Sequence, residues 1–256
     1  LHTSTVLKLF GSRLEIIRAG KPMVNRQTTD PLGEVERFRQ LFSMPDLPNL
    51  PRFTGGLVGY FGYDTVRYVE PRLRASLPPD ELGTPDILLM VSDELLVFDN
   101  LSGRLHIVVH TDPESDDAYA SGCERLDQLV EQISSLSIGR SIAAGQAVHE
   151  SDFRSSFVQE DFEEAVERCK EYIESGDIFQ VVLSQRLSIP FEAEPITLYR
   201  ALRTVNPSPY MYFLDLDDFQ IVGSSPEILA RLEEGEVTVR PIAGTRRRGL
   251  SEEEDR

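Results

Sequence analysis

Three consecutive arginines, Arg246, Arg247 and Arg248, follow a Gly244-Thr245 pair in the segment Pro241-Ile-Ala-Gly-Thr-Arg-Arg-Arg-Gly249. Backbone N–H groups at a Gly-Thr turn can bind a carboxylate, and an arginine can pair with one through two parallel hydrogen bonds. A solvated basic loop is the plainer reading of the same charges. Asn206-Pro-Ser-Pro-Tyr-Met211 places two prolines around one serine. Such rigid backbone can hold carbonyl groups and an aromatic ring in fixed positions for a small ligand. The same residues also suit a stiff connection between helix and strand. Gly223-Ser-Ser-Pro-Glu227 ends a strand pattern with small residues, a proline and an acid. It is either a turn with a capping role or a place where backbone meets substrate.

Gln180 lies in Ile178-Phe-Gln-Val-Val-Leu-Ser-Gln-Arg186, which reads as a strand. By alternation it shares a face with Ile178, Val182, Ser184 and Arg186. That face is either solvated or the lining of a cleft. A buried amide without a partner costs about 1–3 kcal/mol, so in a cleft Gln180 needs one. Other chemistry is thinly represented. His106 and His110 sit four apart in a strand pattern, about 13 Å by strand rise, too far to share one metal. Cys123 and Cys169 have no zinc-ligand or C-x-x-C spacing and read as buried, reduced thiols, which points to the cytoplasm. No Walker lysine and no G-x-G-x-x-G before a helix are present, so phosphate-loop chemistry is not indicated.

These segments must be held by the surrounding elements. Residues 6–10 and 14–17 flank Gly11-Ser12 as a hairpin. Residues 31–44 carry Leu32, Val35, Phe38, Leu41 and Phe42 at helical spacing, with Pro31 suited to the first turn. Four glycines among aromatics in Phe53-Thr-Gly-Gly-Leu-Val-Gly-Tyr-Phe-Gly-Tyr-Asp64 suggest a strand that another backbone approaches closely. Residues 86–91, 95–98 and 104–109 read as a meander, and 118–133 as a polar helix. Residues 136–157, rich in Ser, Gly and Ala, form the best linker.

Beyond it, 161–175 carries Phe162, Ala165, Val166, Cys169, Tyr172 and Ile173 on one helical face that should meet a core. Gly176 suits the left-handed position after the helix. A strand over 178–189, a helix from Pro195 to Leu202, and hairpins around Asp217-Asp218 and Glu233-Glu-Gly235 complete the pattern. The class these elements define is α+β, mainly antiparallel sheets packed with helices.

The 256 residues include 43 acidic and 26 basic side chains, a net charge of −17 that repels nucleic acid and anionic membranes. No apolar run approaches the roughly 20 residues that span a bilayer. The chain has no initiating Met and no visible signal peptide, and it stops in Ser251-Glu-Glu-Glu-Asp-Arg256, a helix-start pattern. It therefore reads as a fragment.

Taken together, the 176–186, 206–213, 223–227 and 241–246 segments closely resemble anthranilate synthase component I, a chorismate-utilising family. Residues 54–64 are similar to that family's N-terminal glycine-rich strand. The resemblance divides the chain into an N-terminal region, 1–140, and the first part of a chorismate-binding domain, 141–256. It implies a carbon–oxygen lyase of tryptophan biosynthesis, converting chorismate and ammonia to anthranilate and pyruvate. A glutamine amidotransferase subunit would supply the ammonia. Mg²⁺ would bind the substrate carboxylate, with its ligands expected C-terminal to Arg256 and none in the fragment.

Gly244 and Thr245 match the family's substrate-contacting pair. Gln180 stands where water-using relatives carry a lysine base, and a neutral amide cannot activate water in that way. Ala243 stands where aminodeoxychorismate synthases carry a lysine nucleophile. Both choices favour anthranilate synthase. Asn206, Pro207, Ser208, Pro209, Tyr210 and Met211, with Gly223, resemble part of a feedback site for L-tryptophan. That site's Leu-Leu-Glu-Ser segment does not occur here, and Arg247 replaces a common proline. The fragment alone is expected to be inactive. The competing readings are an aminodeoxychorismate synthase component and a non-catalytic amino-acid-binding remnant.

Overall fold

The computed structural model of the chain describes residues 3–45, 47–48, 50–75, 79–136, 147–240 and 249–255. It divides into two compact units, Leu1–Gly139 and Arg140–Arg256.

The first unit is built on strands β1 (Thr5–Phe10), β2 (Arg13–Arg18) and β3 (Lys21–Gln27), helix α1 (Pro31–Arg39), strand β4 (Gly56–Phe61), the short helix α2 (Val66–Val69) and strand β5 (Ile87–Ser92). These strands form one antiparallel sheet in the order β3-β2-β1-β5-β4. Leu7, Leu9, Leu14, Ile87, Leu89 and Val91 point from its central strands into a core closed by Phe38 of α1, with Leu32 and Val35 packed against it. That is the half of the helical stripe that the sequence places on one face. Asp30 caps α1 by accepting the Gly33 N–H at 3.0 Å, and Pro31 occupies its first position.

The helix stops at Arg39 instead of running to 44. Leu41 and Phe42 turn back in tighter bonds to Phe38 and Arg39, and Pro45 restricts the residue before it. A buried carboxylate, Glu34, ties α1 to β3. It accepts from Arg26 at 2.8 Å and Thr28 at 3.1 Å, and pairs with Arg37 at 2.9 Å. The Arg37 contact, more than the others, holds its carboxyl below the usual range.

Strand β3 is a polar edge strand entered through Ala19 and Gly20, both left-handed. Its pairing slips by one residue between Ile16 and Ile17. At the other edge the close backbone approach expected of the glycine-rich strand is found at Gly59. A Cβ there would lie 1.9 Å from the Leu88 carbonyl oxygen. The single O–H of Tyr68 in α2 is shared between Asp86 Oδ2 at 2.7 Å and the Gly11 carbonyl at 2.9 Å, pinning the β1–β2 turn. Burial, then the Asp86 contact, pushes its phenol pKa upward.

The expected meander is broken. Strands β6 (Glu94–Asp99) and β7 (Arg104–Val109) pair with each other and not with β5. Asp93 alone separates β5 from β6, too little chain for a hairpin loop, so the strand leaves the sheet. At the turn between β6 and β7 the Asp99 carboxylate accepts from the Leu101 and Ser102 N–H groups, and Gly103 is left-handed. Helix α3 (Ala118–Ser135) is fastened to β6 by a bidentate pair from Arg125 to Glu94, at 2.6 and 2.9 Å. Cys123 on this helix is exposed and Cys169 is half-buried, so neither is the buried thiol expected; both are free. Cys123 lies off the face that buries Gly122 and Leu129.

The second unit holds strand β8 (Arg154–Ser155), helix α4 (Gln159–Glu174), strand β9 (Leu187–Ser188), helix α5 (Pro195–Val205) and strands β10 (Tyr210–Asp215), β11 (Gln220–Ser225), β12 (Arg231–Glu233) and β13 (Glu236–Thr238), with a final turn of helix α6 (Glu252–Asp255). Among the described residues its strands pair two by two: β8 with β9, β10 with β11, β12 with β13, all antiparallel. Helix α4 ends as the sequence indicates, with Gly176 left-handed and the Asp177 N–H reaching back to the Tyr172 carbonyl at 2.9 Å. Its apolar stripe is present, but no residue of it is buried. The strand expected over 178–189 shrinks to Leu187–Ser188. No described strand lies beside 178–186, and a strand without a neighbour has no ladder to hold it. Among the described residues no helix is long and apolar enough to cross a membrane.

Candidate functional site

The sequence-predicted site residues that the structure brings together lie on α5, β10 and β11. Helix α5 runs three residues beyond Leu202, and Asn206 becomes its C-cap, donating its N–H to the Leu202 carbonyl at 2.8 Å. Pro207 and Pro209 then prevent the helix from continuing. The chain turns through half-buried Ser208 and enters β10 at Tyr210. The Asn206 carbonyl accepts from Ser224 Oγ at 2.8 Å, so the proline turn is latched to β11.

The hairpin expected around Asp217-Asp218 forms. Asp217 is left-handed, and the Leu216 N–H donates to the Phe219 carbonyl at 3.0 Å. This fixes the register: Tyr210 faces Ser225, Met211 faces Ser224 and Tyr212 faces Gly223. Alternation then splits the candidate ligand residues between the two faces of the hairpin. Tyr210, Tyr212 and Gly223 share one face. Met211 and Phe213 share the other, where Phe213 meets Tyr199 of α5 edge to face with centroids 6.3 Å apart.

Gly223 is a glycine for a specific reason. The Tyr212 ring lies across it, and a Cβ there would fall 2.1 Å from Tyr212 Cζ. Tyr212 and Ser224 are the two contributors that sequence reasoning missed. Both follow from the register once the Asp217-Asp218 turn is placed.

The Gly223-Ser-Ser-Pro-Glu227 segment is a turn with local capping: Ser225 Oγ donates to the Glu227 carbonyl at 3.1 Å and accepts its N–H at 3.4 Å. It leads into an open concavity of about 450 Å³ lined by Glu227, Ile228, Leu229, Val239 and Arg240. The β12–β13 hairpin beside it turns at Glu234 and Gly235, both left-handed, within the Glu233-Glu-Gly235 segment where the sequence places it. Gly244, Thr245 and Ala243 follow Arg240 but lie outside the described residues.

Gln180 is described and is exposed in irregular chain, not on a strand face. Its missing strand is the reason: without a paired neighbour the alternation that would aim it has nothing to act on. In the first unit, the glycine-rich segment is joined by His110, which donates from Nε2 to the Thr54 carbonyl at 2.6 Å. Among the described residues no group of three or more His, Cys, Asp or Glu could hold a metal ion, so they do not fit an Mg²⁺ site.

An antiparallel α+β chain carrying this proline-latched hairpin has a defined kinship. A family model described as chorismate binding enzyme matches residues 8–256, and the chain belongs to that family. Over its whole length it is 53% identical to anthranilate synthase component 1 of Pseudomonas putida. It is 48% identical to the component 1 of Neisseria meningitidis serogroup B (strain ATCC BAA-335 / MC58). In both cases it covers 52% of the relative. The crystal structure of anthranilate synthase component I from Streptococcus pneumoniae TIGR4 matches with a TM-score of 0.75 at 30% identity, covering 93% of this chain and 51% of that one. The chain spans about half the length of the curated relatives it matches.

Proposed function

We propose that this chain is the part of an anthranilate synthase component I that supplies the tryptophan-responsive hairpin and one wall of the chorismate site. The observation that carries the reading is the 53% identity to a component 1 chain along all 256 residues. In that enzyme chorismate and ammonia give anthranilate and pyruvate, with ammonia drawn from glutamine on an amidotransferase partner. Residues 1–140 form the N-terminal region and 141–256 the start of the chorismate-binding domain; the division of the chain after Gly139 supports this boundary. Gly244 and Thr245 offer backbone N–H groups to a substrate carboxylate. Gln180 lines the nucleophile's side, where a neutral amide leaves ammonia, not an activated water, as the attacking species. Ala243 can form no covalent adduct with the ring.

Mg²⁺ belongs to the half of the family length that this chain does not span. Asn206, Pro207, Ser208, Pro209, Tyr210, Met211 and Gly223 bind L-tryptophan as a feedback inhibitor. The proline turn fixes carbonyls for the amino-acid end, and Tyr210 supplies an aromatic wall. The enzyme works in the cytoplasm, and neither nucleic acid nor a membrane is a partner, in keeping with the net charge of −17.

The test is turnover by a chain of the relatives' full length carrying these 256 residues. With chorismate, Mg²⁺ and ammonium, fluorescent anthranilate should accumulate, and tryptophan should suppress it. Accumulation of isochorismate, or of an aminodeoxychorismate without pyruvate release, would overturn the assignment. The 256-residue chain alone should show no turnover.

A further inference from the structure

Ser224 meets the segment Asn206-Pro-Ser-Pro-Tyr-Met211 at both of its ends. Its hydroxyl donates to the Asn206 carbonyl at 2.8 Å, and its backbone lies opposite Met211 in the β10–β11 register. The segment is therefore an arch whose two feet stand on one residue of the neighbouring strand.

Little else holds the Asn206 foot. Pro207 and Pro209 have no N–H to donate, and the Asn206 N–H is spent on the Leu202 carbonyl at 2.8 Å. Among the described residues the Asn206 carbonyl has one donor, Ser224 Oγ, at the distance of a well-formed hydroxyl–carbonyl bond. The adjacent hydroxyl behaves differently. Ser225 Oγ makes its described hydrogen bonds to Glu227, two residues ahead, and none to the proline turn.

We infer that Ser224 is a positioning residue for tryptophan inhibition, the clasp that holds the Asn206–Met211 arch in the shape that receives the inhibitor. The inference rests on the proposed tryptophan site. A loop already fixed in its bound shape gives up less freedom on binding, and affinity rises accordingly. Without the hydroxyl, the Met211 foot stays in the ladder while the Asn206 foot is tied only through the end of α5. Ser224 acts through the turn and touches neither chorismate nor the reacting atoms.

The test uses a chain of the relatives' full length carrying these 256 residues. Anthranilate fluorescence is followed with chorismate, Mg²⁺ and ammonium over a series of tryptophan concentrations. Ser224→Ala should raise the tryptophan concentration for half inhibition about threefold to tenfold, the worth of one neutral hydrogen bond. That shift should exceed any change in kcat or in KM for chorismate. Ser224→Thr keeps the hydroxyl and should stay within about twofold of the parent, as should Ser225→Ala, which leaves the clasp intact. Should Ser224→Ala fold poorly, Ser224→Cys offers a similar volume with a much weaker donor and should shift inhibition in the same direction.

Inhibition of Ser224→Ala at the parent's tryptophan concentration overturns the inference. So does an equal loss in Ser224→Thr or Ser225→Ala, or a matching deterioration of kcat and KM, which would mark a merely structural role. Those outcomes leave the tryptophan site itself standing. A parent that is indifferent to tryptophan and binds none in equilibrium dialysis would remove the site, and the inference would fall with it.

Discussion

The two units of this chain contain similar kinds of sequence and reach different degrees of completion. In the first, a five-stranded sheet buries Leu7, Leu9 and Ile87 completely, and α1 closes the core with Phe38. Its polar anchors are also internal: Glu34 to Arg26 and Arg37, Arg125 to Glu94, Tyr68 to Asp86. In the second, α4 and α5 have the apolar stripes of core helices, and the hairpins have well-formed turns, but the faces they present remain open. Amphipathic pattern decides which surface an element will bury; burial itself needs a second surface. The first unit has both within 139 residues, whereas the second has local structure ahead of its core.

That contrast can be broken or sharpened by substitution. The largest effect is expected from Leu9→Ala, which empties a fully buried site between β2 and β5 and should cost about 3 kcal/mol of first-unit stability. Gly59→Ala should follow closely, at about 2–3 kcal/mol, because the added methyl meets the Leu88 backbone and not a movable side chain. Thermal unfolding by far-UV circular dichroism reads both; a loss below 1 kcal/mol in either would show the sheet to be looser than its packing implies. Gly223→Ala in the second unit collides with the Tyr212 ring, which is 43% exposed and can swing outward. Stability should fall by about 1 kcal/mol or less. In the full-length protein the substitution should weaken tryptophan inhibition severalfold, whereas unchanged inhibition would remove Gly223 from the tryptophan site.

A pH titration separates the units by a smaller effect. In the first, Glu34 and Glu94 are held below the normal carboxylate range chiefly by Arg37 and Arg125, and Glu36 is held down to about 2 by Arg39 and then Gln40. The unfolded state therefore binds protons first. The stabilisation is fully present above about pH 4.5 and is lost as pH falls through the lowered folded values toward 2. Glu34→Gln should flatten that acid limb and cost about 1 kcal/mol near neutrality, since Arg26 and Arg37 are half exposed and remain hydrated without it. An acid limb of unchanged slope would mean the pair contributes nothing.

Local chemistry in the sequence was enough for elements that close on themselves. Pro31 and the apolar spacing behind it announced α1, Gly11-Ser12 and Asp217-Asp218 announced hairpins, and Gly176 announced the end of α4. Strand β3 escaped because its turn uses Ala19 in a left-handed conformation that alanine seldom adopts, and because Pro22 and polar residues disguise an edge strand. The 178–189 segment was read as a strand from its pattern. The pattern is there, but a strand is a property of a pair, and no described neighbour makes it one. The same limit governs the candidate site. Asn206, Met211 and Gly223 are held on one hairpin and its proline turn, with Met211 and Gly223 on opposite faces, while Gln180 depends on a ladder that these residues do not contain. Which face each residue of the proline turn joins was legible only through register, and so Tyr212 and Ser224 were missed.

Hydrogen exchange on the isolated 256-residue chain tests the contrast most directly. Amides of Thr5–Phe10 and Ile87–Ser92 should be protected by about 10³-fold or more, and those of residues 179–185 should exchange at nearly the free-chain rate. Equal protection of the two stretches would contradict the account, because the second unit would then have a core of its own.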